Sequence, residues 1–177
     1  NHILRLTFAA QGIRQVEYAV GKKAEFLEDS AGFVAGLVEK LGLPVIVKPA
    51  NLGSSIGIRM AHSEEELLEA LDVGFQYDLK VIVEKALTDF IEVNCSAVRY
   101  RGNIMVSELE QPMVWQDFLT FEDKYEGRKT GKSGKQGEVA LPREVVQRVR
   151  DMTYRGYELL DLSGVVRADF MVLGDEV

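Results

Sequence analysis

The run Pro44-Val45-Ile46-Val47-Lys48 constrains the fold of this chain more than any other stretch. Its β-branched residues suit a buried strand. Gly42 and Pro44 stop the helical pattern before it, because glycine closes helices and proline cannot continue one. Behind it the chain enters Pro49-Ala50-Asn51-Leu52-Gly53-Ser54-Ser55-Ile56-Gly57, a loop of small residues. A second short strand, Lys80-Val81-Ile82-Val83-Glu84, follows beyond one helix and ends on Glu84-Lys85. Short apolar strands separated by helices define a mixed α/β or α+β class.

The remaining elements follow from periodicity and punctuation. An apolar run at 4–10 predicts a helix with Gly12 past its end. Residues 16–20 alternate weakly, like a strand. Phe26, Leu27, Phe33, Val34, Leu37, Val38 and Leu41 recur at three and four, which predicts a helix over at least the second half of 24–41. Ser63 followed by Glu66 forms a capping box, and Leu67, Ala70, Leu71, Gly74 and Phe75 then share one helix face. Residues 91–100 and 103–108 pair as a hairpin across Arg101-Gly102. The order from 111 to 136 is unclear, and 127–137, rich in glycine and lysine, reads as a mobile loop. Pro142 opens a helix to about Leu160, with Val145, Val146, Val149, Met152, Tyr157 and Leu160 as its apolar set. Residues 165–173 form a last strand. No internal repeat is visible.

Composition excludes several classes. Twenty-one basic against 28 acidic residues leave a net charge of -7, which argues against a nucleic-acid partner because phosphate backbones need a basic face. No stretch approaches the roughly 18 apolar residues of a membrane span. Asn1-His2-Ile3-Leu4-Arg5 lacks the layout of a signal peptide. With Cys95 the only cysteine, no internal disulfide forms, and a cytoplasmic location is expected.

Each candidate site has an alternative. The Lys48 strand and the 53–57 loop offer backbone N–H groups, hydroxyls and an ammonium for phosphate, or they make a solvated turn. Glu84-Lys85 is a surface pair, or part of a clamp on an adenosine polyphosphate. Alternation puts Arg167 and Asp169 on one strand face, with Val166, Ala168 and Phe170 on the other. They pair with each other, or hold an anion and a metal. Glu122-Asp123-Lys124-Tyr125 reads as a surface turn by itself. Gly131-Lys132-Ser133 imitates the end of a P-loop, but Glu126 stands where the first glycine is required. Cys95 and Trp115 read as packing residues, and neither His2 nor His62 has a visible metal partner.

Taken in order, Lys48-Pro49 with Gly53-Ser54-Ser55-Ile56-Gly57, Val81-Ile82-Val83-Glu84-Lys85, Glu122-Asp123-Lys124-Tyr125 and Arg167-Ala168-Asp169-Phe170 resemble D-alanine–D-alanine ligases, from about Gly12 to Val177. The resemblance implies an α+β ATP-grasp fold of two lobes, 1–88 and 89–177, each an antiparallel sheet with packed helices. It implies ATP-dependent joining of two D-alanines through an acyl phosphate, for peptidoglycan precursors. By the same resemblance Lys48 and Lys85 hold the ATP phosphates, and Glu84 with the backbone to Leu87 holds adenine. Gly53, Ser54 and Ser55 belong to the loop closing over phosphate and substrate. Lys124 reaches the terminal phosphate. Tyr125 lies by the second D-alanine, Arg167 stabilises the oxyanion, and Asp169 is a Mg²⁺ (or Mn²⁺) ligand. The resemblance allows a homodimer of the full-length enzyme.

Three departures stand against the pattern. Phe90 occupies the place of the family's ribose-binding glutamate. The remaining metal ligands, a Glu-x-Asn element, are expected beyond Val177. The amino-terminal domain and a lysine usual near Asn1 have no counterpart, so the chain as written is expected to be inactive, a piece of a full enzyme. Two other readings are another ATP-grasp carboxylate–amine ligase, including D-lactate or D-serine types, and a non-catalytic nucleotide-binding module.

Overall fold

The computed structural model describes residues 2–53, 55–112 and 140–177. The described chain divides into two compact units, one running to Leu87 and the other starting at Thr88.

The first unit is a four-stranded sheet with helices. Its elements are α1 (His2–Ala10), β1 (Tyr18–Lys22), α2 (Lys23–Glu28), α3 (Ser30–Leu41), β2 (Val45–Pro49), β3 (Arg59–Ala61), α4 (Glu64–Tyr77) and β4 (Lys80–Lys85). The strand order is β1-β4-β2-β3, and each pair is antiparallel. The predicted strand at 16–20 lies two residues later. The long helical pattern of 24–41 is broken at Asp29, whose carboxylate accepts from the Gly32 N–H and caps α3. An Asp side chain satisfies a helix-end donor better than it tolerates a helix interior. Arg59–Ala61 is too short to show a period, and pairing with β2 makes it a strand.

One face of this sheet is the core. Val45 and Val47 of β2 and Val81 and Val83 of β4 are fully buried against Val34, Leu37 and Leu41 of α3 and Leu67, Leu71 and Phe75 of α4. Burying a side chain such as Leu71 contributes about 1.5–3 kcal/mol. Gly74 lets α4 approach closely, since a Cβ there would stand 2.9 Å from Val81 Cγ1. The α4 start follows the capping pattern with one change. Ser63 Oγ accepts from the Glu66 N–H, but the Glu66 carboxylate reaches back to the His62 N–H.

The second unit holds β5 (Ile91–Tyr100), β6 (Asn103–Val106), α5 (Arg143–Leu159) and β7 (Val165–Val172), with sheet order β6-β5-β7. The hairpin turns at Arg101 and Gly102, both at positive φ, so its twist matches that of the strands. β6 stops at Val106, short of the predicted Glu108. Val145 and Val149 of α5 pack on Val93, Cys95 and Val172. The buried stripe of α5 continues through Thr153, Gly156 and Tyr157 rather than Val146 and Met152. Thr153 is admitted because its hydroxyl donates to the Val149 carbonyl, and the Tyr157 hydroxyl accepts from the Arg99 N–H and donates to the Gly164 carbonyl. No helix among the described residues is long and apolar enough to cross a membrane.

Candidate functional site

The pleat of β2 and β4 sorts the charged residues of the first unit. Val45, Val47, Val81 and Val83 take the helix-covered face. Ile46, Lys48, Ile82 and Glu84 therefore share the other. Antiparallel register puts Lys48 opposite Ile82 and Ile46 opposite Glu84, so Lys48 and Glu84 are diagonal neighbours. Their side chains meet, with Lys48 Nζ 2.5 Å from Glu84 Oε2. Glu84 is 3% exposed, which an ionised carboxylate tolerates only with partners. Its second oxygen takes the guanidinium of Arg5, from α1. That guanidinium also lies over the Tyr18 ring at 4.8 Å, and Tyr18 pairs with Glu84 across β1 and β4. The Arg5 Nε–H is buried with no partner among the described residues. Two cations on one carboxylate leave this cluster with one net positive charge, a setting for an anion.

Lys85 is placed differently. It lies opposite Val45, on the other pleat from Lys48, and its half-exposed ammonium is 3.9 Å from Glu17. Both lysines end short strands in the sequence, but the strands run in opposite directions. The structure brings Lys48 to Glu84 and does not bring Lys85 to either. Beyond it, the Lys85 N–H donates to the Glu17 carbonyl and the Ala86 N–H to the Pro44 carbonyl. Leu87 then carries the first backbone N–H of this segment without a backbone bond among the described residues.

The glycine loop leaves β2 at Pro49. Its stem is fastened by Asp78, whose Oδ2 accepts from both Asn51 N (2.8 Å) and Asn51 Nδ2 (3.0 Å), while Oδ1 takes the Lys80 N–H. Inside the loop the Ile56 N–H donates to the Gly53 carbonyl and the Ile58 N–H to the Ser55 carbonyl. Ser55 and Gly57 are at positive φ. Gly57 lies against Tyr77 and Pro49, so the loop folds back over the end of β2. Ser54 lies outside the described residues, as do Lys124, Tyr125, Trp115 and the loop at 127–137.

In the second unit Arg167 and Asp169 occupy the face of β7 away from α5. They are about half exposed and pair with each other, Nε to Oδ1 at 2.8 Å. The Asp169 hydrogen bond, then its charge, raises the Arg167 pKa above its ordinary value, against an opposing effect of burial and with lesser help from Glu110 and Glu92. Among the described residues no group of three or more His, Cys, Asp or Glu side chains is placed to hold a metal. Magnesium binds through one or two carboxylates plus substrate phosphates. Asp169, already paired, is too small a donor set for a magnesium site without nucleotide.

Sequence reasoning missed Arg5 and Asp78. Arg5 sits among apolar residues of α1 with no motif around it, and Asp78 reads as a polar residue past a helix end. Arg5 acts on a residue 79 positions away, and Asp78, although it also takes the Lys80 N–H two residues on, fastens the loop through Asn51, 27 positions away, so neither function has a local signal.

The two antiparallel sheets with packed helices, and the lysine strand feeding a glycine loop, define an α+β fold of the ATP-grasp class. A family model described as the D-ala D-ala ligase C-terminus matches residues 7–177, and the chain belongs to that family. A D-alanine–D-alanine ligase of Acetivibrio thermocellus is 34% identical over 168 residues, 95% of this chain and 43% of that protein. One of Flavobacterium johnsoniae is 36% identical over 142 residues, 80% of this chain and 42% of that protein. D-alanyl-alanine synthetase A of Vibrio cholerae superposes with a TM-score of 0.79 at 19% identity, covering 98% of this chain and 50% of that one. The VanG D-Ala:D-Ser ligase of Enterococcus faecalis gives 0.70 at 24% identity, covering 94% of this chain and 46% of that one. The chain spans less than half the length of the curated relatives named here.

Proposed function

We propose that this chain is the nucleotide-holding part of a D-alanine–D-alanine ligase, which joins two D-alanines at the cost of ATP. The observation that carries the proposal is the Lys48–Glu84 pair beside the glycine loop, in a chain of this family. The Glu84 carboxylate accepts from the adenine amino group, and the Leu87 N–H donates to the ring. Lys48 and the amides and hydroxyls around Gly53, Ser54 and Ser55 take the phosphates. Lys85 holds the same nucleotide from the strand end that leads to Leu87. Lys124 meets the terminal phosphate, and Tyr125 orients the second amino acid.

The reaction has two steps. The terminal phosphoryl group passes to the carboxylate of the first D-alanine, releasing ADP and forming an acyl phosphate. The amine of the second D-alanine attacks the acyl carbon, loses a proton and expels phosphate. Charge on the transferring group and then on the carbonyl oxygen calls for fixed cations, the roles of Lys48, Lys124 and Arg167. Asp169 is the carboxylate that Mg²⁺ would use together with the phosphates, where the metal supplies charge neutralisation.

The test uses the full-length protein with ATP, magnesium and D-alanine. Stoichiometric dipeptide, ADP and phosphate are expected, and absence of dipeptide would refute the proposal. A D-serine arm decides between the dipeptide type and the D-Ala:D-Ser type, because a D-Ala:D-Ser ligase shares this fold. Calorimetric titration separates the lysines: Lys48→Ala should weaken ATP more than Lys85→Ala, given their places on the sheet.

A further inference from the structure

The Glu84 carboxylate has more positive charge around it than its own burial requires. Its side chain is 4% exposed, and one cation would balance it. It has two, Lys48 on Oε2 and Arg5 on Oε1. They differ in how they are held. Lys48 is a quarter exposed and ends a flexible four-carbon stem, whereas Arg5 is 14% exposed. The Arg5 guanidinium lies over the Tyr18 ring, and its backbone carbonyl accepts from Gln15 Nε2 at 2.8 Å. No residue of α1 is buried, so this polar contact, rather than an apolar face, seats Arg5 on the sheet.

The pair poses a problem for any ligand that needs Lys48. If Lys48 turns to a phosphate, Glu84 loses a partner. The adenine amino group that would then reach it is neutral, and a buried carboxylate without a cation is strongly disfavoured, so Lys48 would be held back by the carboxylate. A second, fixed cation removes that restraint. We propose that Arg5 is the standing counter-ion of Glu84, a positioning residue that frees Lys48 to move from the carboxylate onto a nucleotide phosphate. This rests on the nucleotide reading of the site. It differs from a simple anchoring role for α1, which would act regardless of the charge on Glu84. It differs also from a general attraction of Arg5 for the nucleotide, which would not need Glu84 either.

The test is a double-mutant cycle read by calorimetric titration of MgATP, without D-alanine, into the full-length protein. Arg5→Gln should weaken binding roughly tenfold, a middling value for coupling between two sites. In a Glu84→Gln background, where no buried charge needs a counter-ion, Arg5→Gln should change binding by less than about twofold. An equal loss in both backgrounds overturns the inference, and so does wild-type affinity in Arg5→Gln. Should Arg5→Gln not fold, Arg5→Lys carries the test. Near-wild-type affinity there supports the counter-ion role, and a loss as large as that of Glu84→Gln overturns it. If the wild type itself does not bind ATP, the nucleotide reading falls and takes the inference with it. Binding by the wild type with an indifferent Arg5→Gln rejects the inference alone.

Discussion

Gly57→Ala isolates what the glycine loop demands of its last residue. Gly57 has φ +69°, and an L residue there costs about 1–2 kcal/mol because Cβ crowds the following carbonyl. The added Cβ would also stand 2.8 Å from Tyr77 Cδ2 and 2.9 Å from Pro49 Cγ. Overpacking of this kind typically costs about 1–3 kcal/mol. Tyr77 is 54% exposed and can swing out, but the Pro49 ring belongs to β2, paired with Val81, and cannot. The two terms sum to about 2–5 kcal/mol, and the freedom of Tyr77 keeps the total in the lower part of that range, about 2–4 kcal/mol. At a urea dependence of about 2 kcal/mol per molar, the midpoint should fall by about 1–2 M. Gly53→Ala is the internal control. It lies in the same loop, outside the left-handed region, with no atom of the described residues within 4 Å of its added Cβ, and should leave the midpoint unchanged. Urea titrations followed by circular dichroism compare the two. Coincident midpoints would show that the loop adapts freely and would refute the steric argument.

Other predictions concern the helices. Gly36→Ala, exposed on α3 with open space around it, should stabilise by about 0.5–1 kcal/mol and raise the melting temperature by a few degrees. Ser63→Ala should cost about 1 kcal/mol in urea titration through loss of the α4 cap, and Ser63→Asp should retain most of it. The His62 N–H, then the His62 ring, holds the Glu66 carboxyl below its ordinary range against a smaller opposing effect of burial. A depressed folded value means that the unfolded state binds more protons, so this contribution is present at neutral pH and is lost as pH falls through the folded value. Melts of wild type and Glu66→Gln between about pH 7 and pH 3 should therefore converge in acid, and a gap that widens there would contradict the assignment.

Much of the local structure was legible without coordinates. Gly12 and Gly42 end helices, Ser63 starts one and Arg101-Gly102 turns a hairpin, because each is decided by a few adjacent backbone groups. The four motifs in order were enough to indicate the family. Their alternation also put Arg167 and Asp169 on the face of β7 away from the core. The site itself was only half legible. Lys48 and Lys85 look equivalent as strand-end lysines, yet antiparallel register seats one beside Glu84 and the other opposite Val45, on the opposite pleat. The packing stripe of α5 shifted to Thr153 and Gly156 because the sheet beneath it, not the helix period, chooses which side chains are enclosed. Arg5 meets Glu84 across 79 positions of chain. Caps and turns are settled within one or two turns of backbone, so the amino-acid order determined them. Which charges share a buried carboxylate depends on strand pairing and helix docking over long separations, and only the tertiary structure decided that.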